Sequence, residues 1–437
     1  MKNNFNGGFE KHYDVAVMGT GPGGATVARE MAKRGKKVLM LEQGPHRDPD
    51  GSIISSAIDM MLPGKGLYFT PQIAGVVRAC CTGGSSLYYY GSALYPDLDK
   101  FKRYGIDLKY DADEMYRDLN FLQPLKDYMI GDLSKAIMEG ARNLGYDWNP
   151  IQKFIMQDKW TPDYQFGVSD PRDIKWTALM YVREAMLNGA QLLNHAKVTN
   201  VLLENKKAVG VEFKHKGQTH TVHAGTVVLA GGGMSTPMIM KRLGVKGVGK
   251  NYFFDPFVDV VGEHRTLSRT REIPMSCGMQ FVDNGYFMTD LQIPSRIQES
   301  IFATQVGKFS QYFRQKHTGS IMVKLKDTPG GVLGPGGWPI KWLSAEDKKR
   351  MKDGTSKAKQ IMQKAGFDDI YTTYYFAAHP GGTVAVGKFL DSNLKTRFDN
   401  LYVCGASVIP DGCGVPPATM IIALGKYLAR GLAGERN

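Results

Sequence analysis

Three glycines, Gly19, Gly21 and Gly24, stand in the stretch "VMGTGPGGATVAREM", and an acid, Glu42, follows the first of them by 23 residues. That spacing suits capture of a nucleotide diphosphate. Gly19 allows a tight turn, Gly21 lets the backbone approach a pyrophosphate, and Gly24 lets a helix and a strand pack closely. Pro22 and Gly23 fall inside the same cradle. Free amides at the start of the following helix, together with its dipole, favour the diphosphate's charge. Glu42 can accept hydrogen bonds from a ribose diol. FAD and NAD share an adenosine diphosphate end, so this spacing by itself leaves both open.

The chemistry needs elements to hold it. Tyr13 to Met18 is apolar and β-branched apart from Asp14, which predicts a buried parallel strand. Helix formers run from Ala25 to Arg34 and stop at Gly35, and a second strand covers Lys37 to Leu41. A second glycine turn, Gly83 and Gly84 with Ser85 and Ser86, lies beside three consecutive tyrosines, Tyr88, Tyr89 and Tyr90. Residues 100 to about 189 read as helical, 190–233 as a small sheet lying on the nucleotide domain, and 258–326 as strands with a helix. Ser344, with Glu346 and Asp347 after it, predicts a capped helix running to about Lys364. The chain closes on a glycine–proline loop entering a helix.

At 437 residues the chain predicts two interleaved domains. Its net charge of +13 suits an anionic cofactor, an acidic partner protein or an anionic membrane surface. No helix-turn-helix, zinc-finger or RNA-binding motif accompanies that charge, so nucleic acid is not an expected partner. The five cysteines are odd in number and none has CxxC spacing, which predicts a reducing compartment and no metal centre. Without a hydrophobic signal core or a run of 18 apolar residues, the expectation is a cytoplasmic protein, with peripheral membrane contact left open.

Six segments in order resemble the glucose–methanol–choline (GMC) oxidoreductases, FAD-dependent enzymes that oxidise alcohols. They are GTGPGG with Glu42, "GGSSLYYYGSALYP", "VVLAGGGMSTPMIMKRLGV", "GVGKNYFFDP", "AHPGGT" and "NLYVCGASVIPDGCGVPPATMIIALGKYLA". The resemblance implies a mixed α/β fold, with a Rossmann-like FAD-binding domain (1–110, 190–257 and 375–437) interleaved with a sheet-based substrate domain (111–189 and 258–374). It implies FAD rather than NAD, and a glycine–serine loop, Gly83 to Ser86, wrapping the pyrophosphate and ribityl chain. By the same resemblance Val198 meets the adenine, Gly405 and Ala406 meet the diphosphate and ribityl region, and the helix opening at Pro417 and Ala418 points at the flavin's pyrimidine edge. His379 would face the flavin and take the hydroxyl proton of a small-molecule alcohol, work that suits an imidazole. Members that attach flavin covalently through the glycine–serine loop use a histidine where Tyr88 stands, so the FAD is expected to be non-covalent.

The chain also departs from the family. Pro416 occupies the place of the second His or Asn, Tyr89 replaces an Asn, and Gly405 replaces an Asp. Three readings follow: an alcohol dehydrogenase or oxidase in which His379 works alone or with a tyrosine such as Tyr89; a flavin-dependent reductase or isomerase of a carbon–carbon double bond with Tyr88, Tyr89 or Tyr90 as proton donor; and a non-catalytic flavin carrier passing electrons to a partner. The electron acceptor, a protein or quinone among the candidates, stays open.

Overall fold

The computed structural model describes residues 9–161, 169–270, 273–292, 306–308 and 315–436. Strand His12–Met18 buries Val15, Ala16 and Val17 on both faces, as its unbroken apolar run requires. It lies parallel between Val38–Leu41 and the C-terminal half of the long strand Gln218–Leu229. Gln191–Leu193 and Leu401–Val403 extend this parallel sheet on either side. The N-terminal half of Gln218–Leu229 pairs antiparallel with Lys207–His215, which pairs in turn with Ala196–Glu204. The small sheet expected over 190–233 is therefore continuous with the nucleotide sheet, because one 12-residue strand serves both.

Helix Pro22–Lys33 begins three residues before the predicted start, since Pro22 at its first turn has the φ a helix needs. It packs on helix Ala178–Leu187 and on the closing helix Ala418–Leu432. A Cβ at Gly425 would lie 2.7 Å from the Thr26 Cβ, so the two helices cross too closely for any side chain there.

Among the described residues the second sheet has nine strands, with Pro256–His264, Thr318–Leu325, Tyr286–Asp290 and Cys277–Phe281 antiparallel at its centre. Alternation gives its two faces different work. Val258, Val260, Ile321, Val323 and Met288 pack in one core cluster with Ile361 of helix Ala345–Lys364 and Ile137 of helix Asp132–Arg142. The former helix opens on the predicted Ser344 cap, which forms a reciprocal box with Asp347. The opposite face carries Phe257, Asp259, Met322 and Lys324 by register. Tyr90, Leu94 and Val415, from the nucleotide side, pack against its apolar part.

Relative to the segments read from the sequence, strands Leu67–Phe69 and Gly75–Val77 join the edge of the second sheet through Phe376–Ala377. Helices Lys109–Asp118 and Ala178–Leu187 put Met115, Tyr181 and Val182 into the nucleotide-side core. Helix in 100–189 is interrupted at Gly131, Gly145, Pro124 and Pro150, leaving short paired segments between Asp132–Arg142 and Ala178–Leu187. Among the described residues no helix is long and apolar enough to cross a membrane.

Candidate active site

The glycine cradle is tight wherever protein meets protein. A Cβ at Gly19 would stand 2.7 Å from the Ala230 carbonyl oxygen, and one at Gly24 2.1 Å from that of Gly19. Gly21 differs: a Cβ there meets nothing within 4 Å. Gly405, at φ +108°, also opens on free space, while Gly23 backs onto the Cys404 sulfur and Gly405 at 3.1 Å. From the glycine–serine loop, Gly84 faces the same opening, its added Cβ 3.1 Å from Gly21 Cα. No side chain caps helix Pro22–Lys33 or helix Ala418–Leu432, whose N-cap is Pro417. Their first-turn amides are thus left for an anion.

Glu42 is buried behind this opening. Its Oε2 accepts from the Thr20 hydroxyl (2.8 Å) and the Thr20 amide (3.2 Å), and its Oε1 from the Gly44 amide (2.9 Å). Burial pushes its carboxyl up, and the bonds from Gly44 and Thr20 pull back. The Thr20 hydroxyl also accepts from the Gly83 amide at 3.2 Å, so a single bond chain ties the three cradle segments together. Ser86 donates to the Gly83 carbonyl (2.7 Å) and accepts from the Ala178 amide (2.9 Å), and Ser85 accepts from the Ala79 amide (3.0 Å). These hydroxyls shape the loop. Val198 is buried in strand Ala196–Glu204, opposite Phe213. Ala406 follows Gly405 and takes the Gly382 amide on its carbonyl at 3.1 Å, joining this region to the His379 loop.

The loop that carries His379 is itself held in place. Gly381 exchanges backbone bonds with Phe253, Thr383 donates to the Gly233 carbonyl at 2.7 Å, and a Cβ at Gly381 would strike the Phe253 ring at 2.4 Å. The imidazole turns Nδ1 to Asp255 Oδ2 at 3.5 Å. Asp255 is fully buried, and its backbone is left-handed (φ +48°), a conformation Asp tolerates better than most side chains. Its Oδ1 accepts from the Cys413 and Gly414 amides at 3.0 and 3.1 Å, and its Oδ2 lies 2.9 Å from Lys324 Nζ. One carboxylate thereby stands against the imidazole and ties the loop before the closing helix to the second sheet. Behind it, Asp327 Oδ1 takes the Phe254 and Asp255 amides, and its Oδ2 is 2.9 Å from Lys341.

The charges follow from this packing. Burial works against the Asp255 carboxylate, yet Lys324 and His379 hold it down to about 2. Burial, and then Lys324, push His379 down to about 4 against the pull of Asp255. The imidazole is therefore neutral at pH 7. A neutral ring that faces a carboxylate with Nδ1 keeps its proton there, which leaves the lone pair on Nε2. Nδ1 is fully buried while the side chain keeps 23% exposure, so its accessible edge is the other one.

The tyrosines are mostly committed elsewhere. Tyr89, read from the sequence as a catalytic partner, donates its hydroxyl to the Trp176 carbonyl at 2.8 Å and packs its ring on Phe154. Tyr88 donates to Asp59 at 2.7 Å. Tyr90 alone of the three packs against the second sheet. Pro416 is buried and carries no polar side-chain group. Asp255, Lys324 and Thr20 were not singled out in the sequence. A lysine inside the apolar run "SIMVKL" and an acid directly after "YFF" are the signals that point to the first two.

Known proteins share this plan. The N-terminal GMC oxidoreductase family model matches residues 119–257 and the C-terminal one residues 335–425, together more than half of the chain. An uncharacterized protein of Methanocaldococcus jannaschii is 28% identical over 419 residues, covering 96% of this chain and 99% of that one. A long-chain-alcohol oxidase of Arabidopsis thaliana is 23% identical over 406 residues, and the match covers 82% of this chain but 54% of the oxidase. The crystal structure of pyridoxine 4-oxidase from Mesorbium loti superposes with a TM-score of 0.74 at 16% identity, covering 97% of this chain and 100% of that one, a likeness of fold. With both family models matched and the cradle and His379 loop placed as above, the chain belongs to the GMC oxidoreductase family.

Proposed function

We propose that the protein is an FAD-dependent oxidoreductase that oxidises the CH–OH group of an alcohol, with His379 as base and the FAD held non-covalently. The cofactor reading is supported by the open faces of Gly21 and Gly405, the two uncapped helix starts and the buried Glu42. Glu42 would take the ribose diol, and the Pro22–Lys33 amides the diphosphate. The Tyr88 hydroxyl is bound to Asp59, and no histidine stands on that loop to form a covalent link. Bound FAD would supply the hydride acceptor.

The observation that carries the catalytic reading is the neutral His379, oriented by Asp255 and open at its other edge. Nε2 is then free to take the substrate's hydroxyl proton while Asp255 stabilises the imidazolium that forms. The support that the family resemblance assigns to a second His or Asn at the Pro416 position would come here from behind the ring. The reductase reading keeps only Tyr90, since the Tyr88 and Tyr89 hydroxyls are occupied. Anaerobic mixing of the flavin-loaded protein with a panel of alcohols tests the proposal. Bleaching of the flavin bands by an alcohol supports it; bands that persist with every alcohol but reoxidise with an enone after chemical reduction overturn it.

A further inference from the structure

Strands Leu67–Phe69 and Gly75–Val77 form an antiparallel hairpin whose tip carries Ile73. The turn is closed by the Ile73 amide on the Thr70 carbonyl at 2.8 Å and the Thr70 amide on the Ala74 carbonyl at 3.0 Å. Ile73 stands at φ +61° with 77% of its surface exposed. Among the described residues it is the only β-branched side chain on a left-handed backbone. That conformation strains an isoleucine and suits Gly or Asn, and an apolar tip gains nothing from water. Folding alone would favour another residue on both counts.

Other exposed apolar side chains gather around the tip. Trp338 donates its indole N–H to the Phe69 carbonyl at 2.9 Å and meets Tyr68 edge-on, with ring centroids 5.3 Å apart. Gln72, beside Ile73, accepts the Leu343 amide at 2.9 Å, which brings in Trp342. Phe69, Trp338 and Trp342 are all exposed, Trp342 by 60%. Beneath them Tyr68, Ala74, Leu333 and Leu343 share one small buried core. The exposed side chains therefore stand on a packed base.

The same base leads to a basic cavity. Gly334 donates its amide to the Trp338 carbonyl at 2.8 Å, and the carbonyl of the preceding Leu333 accepts from Lys241 Nζ. Leu333 and Lys241 line a cavity of about 430 Å³ with Lys246, Gly247 and Lys250, and no acid lines it. Among the described residues none of the three lysines has a carboxylate partner. The Lys246 and Gly247 amides donate to no acceptor among the described residues, and Gly247 is left-handed at φ +87°. Turns of this kind aim backbone amides at an anion.

Exposed apolar patches mark contact with a partner or with lipid. Tryptophans beside an apolar tip, with lysines flanking them, are the composition of a membrane interface: the rings sit at headgroup level and the lysines meet lipid phosphates. A second copy of this chain fits the face poorly. A symmetric contact would bring two uncompensated lysine cavities together on chains of net charge +13. We propose that this face docks the protein on an anionic lipid bilayer. Ile73, Phe69, Trp338 and Trp342 enter the boundary between headgroups and acyl chains, and the lysine cavity seats a lipid phosphate. The docking does not depend on the alcohol-oxidation reading.

The test sediments the flavin-loaded protein with phosphatidylcholine vesicles and with mixed phosphatidylcholine–phosphatidylglycerol vesicles, at low and high salt. Wild type should bind the mixed vesicles about tenfold or more tightly than the neutral ones and be released by high salt. Ile73→Asn should melt at or above the wild-type temperature, because Asn accepts the left-handed backbone. It should nevertheless bind about 10- to 100-fold more weakly, as expected for one inserted side chain lost, and Trp342→Ser should bind similarly weakly. Lys246→Gln combined with Lys250→Gln should weaken binding to the mixed vesicles by roughly 10- to 30-fold and remove most of the preference for them. No binding of wild type to the mixed vesicles, or wild-type binding by every variant, overturns the proposal. Binding of inorganic phosphate in calorimetry without binding to vesicles also overturns it, and makes the cavity a small-anion site. A wild-type dimer in sedimentation velocity that ignores vesicles and that Ile73→Asn turns into a monomer overturns it in favour of an interface between copies.

Discussion

Replacing Asp255 by Asn removes one charge and leaves the shape nearly intact. Asn tolerates the left-handed backbone at φ +48° as well as Asp does, and its amide oxygen can still accept from Cys413 and Gly414. What is lost is the negative charge 3.5 Å from His379 Nδ1. At an effective dielectric of about 20, that charge is worth about 5 kcal/mol to an imidazolium. The full value corresponds to roughly 3000-fold in rate, and partial compensation by the polar amide brings the expected loss to roughly 10²–10³-fold. Flavin reduction by saturating alcohol, followed anaerobically by stopped flow, reads this directly. The variant also leaves Lys324 buried and unpaired, a stability cost of about 3–5 kcal/mol. Adding Lys324→Met should restore the melting temperature without restoring the rate. A positioning role makes one more demand: with the attraction of Asp255 gone, the acid limb of the pH profile should move further below pH 4. A folded, flavin-loaded Asp255→Asn protein that reduces within about twofold of wild type would refute the orientation argument.

Three other outcomes follow from the same geometry. Because burial and Lys324 depress His379 to about 4, the base form is fully present above that value and lost below it. Flavin reduction should accordingly be level from pH 8 to about 5 and fall toward pH 3, whereas a break near 6.5 would mean a solvated imidazole. Gly21→Ala should lose flavin yet melt like flavin-free wild type, since its Cβ meets no protein atom within 4 Å, while Gly24→Ala, 2.1 Å from the Gly19 carbonyl oxygen, should lose stability with or without flavin; matching flavin-free melting curves for the two would contradict the cradle. Acid precipitation should release the flavin into the supernatant, and colour retained in the pellet would show a covalent link.

The cradle was legible in the sequence because its parts are local. A strand, a glycine turn, a helix and Glu42 lie within about 30 consecutive residues, and each has a one-residue reason to be there. The Ser344 cap was legible for the same cause, as was the closing helix that follows the glycine–proline loop and opens at Ala418. Asp255 and Lys324 were not, since their roles depend on contacts between segments far apart in the chain. Lys324 faces Phe257 only because Pro256–His264 and Thr318–Leu325 run antiparallel in that register. Tyr89 shows the converse. Its place in the glycine–serine loop suggested chemistry, but the tertiary position of Trp176 took its hydroxyl. The segment boundaries blurred for a related reason, as strand Gln218–Leu229 belongs to two sheet regions at once.

The central claim is that His379 accepts the substrate proton, and its most direct test is a single-turnover measurement on His379→Ala and His379→Asn. Both variants should purify with wild-type flavin content, because the imidazole is not part of the nucleotide cradle. On anaerobic mixing with an alcohol that bleaches the wild type, both should reduce their flavin about 10²–10⁴-fold more slowly. Flavin-loaded variants that bleach at the wild-type rate would contradict the claim and leave Tyr90 as the proton-handling group to examine next.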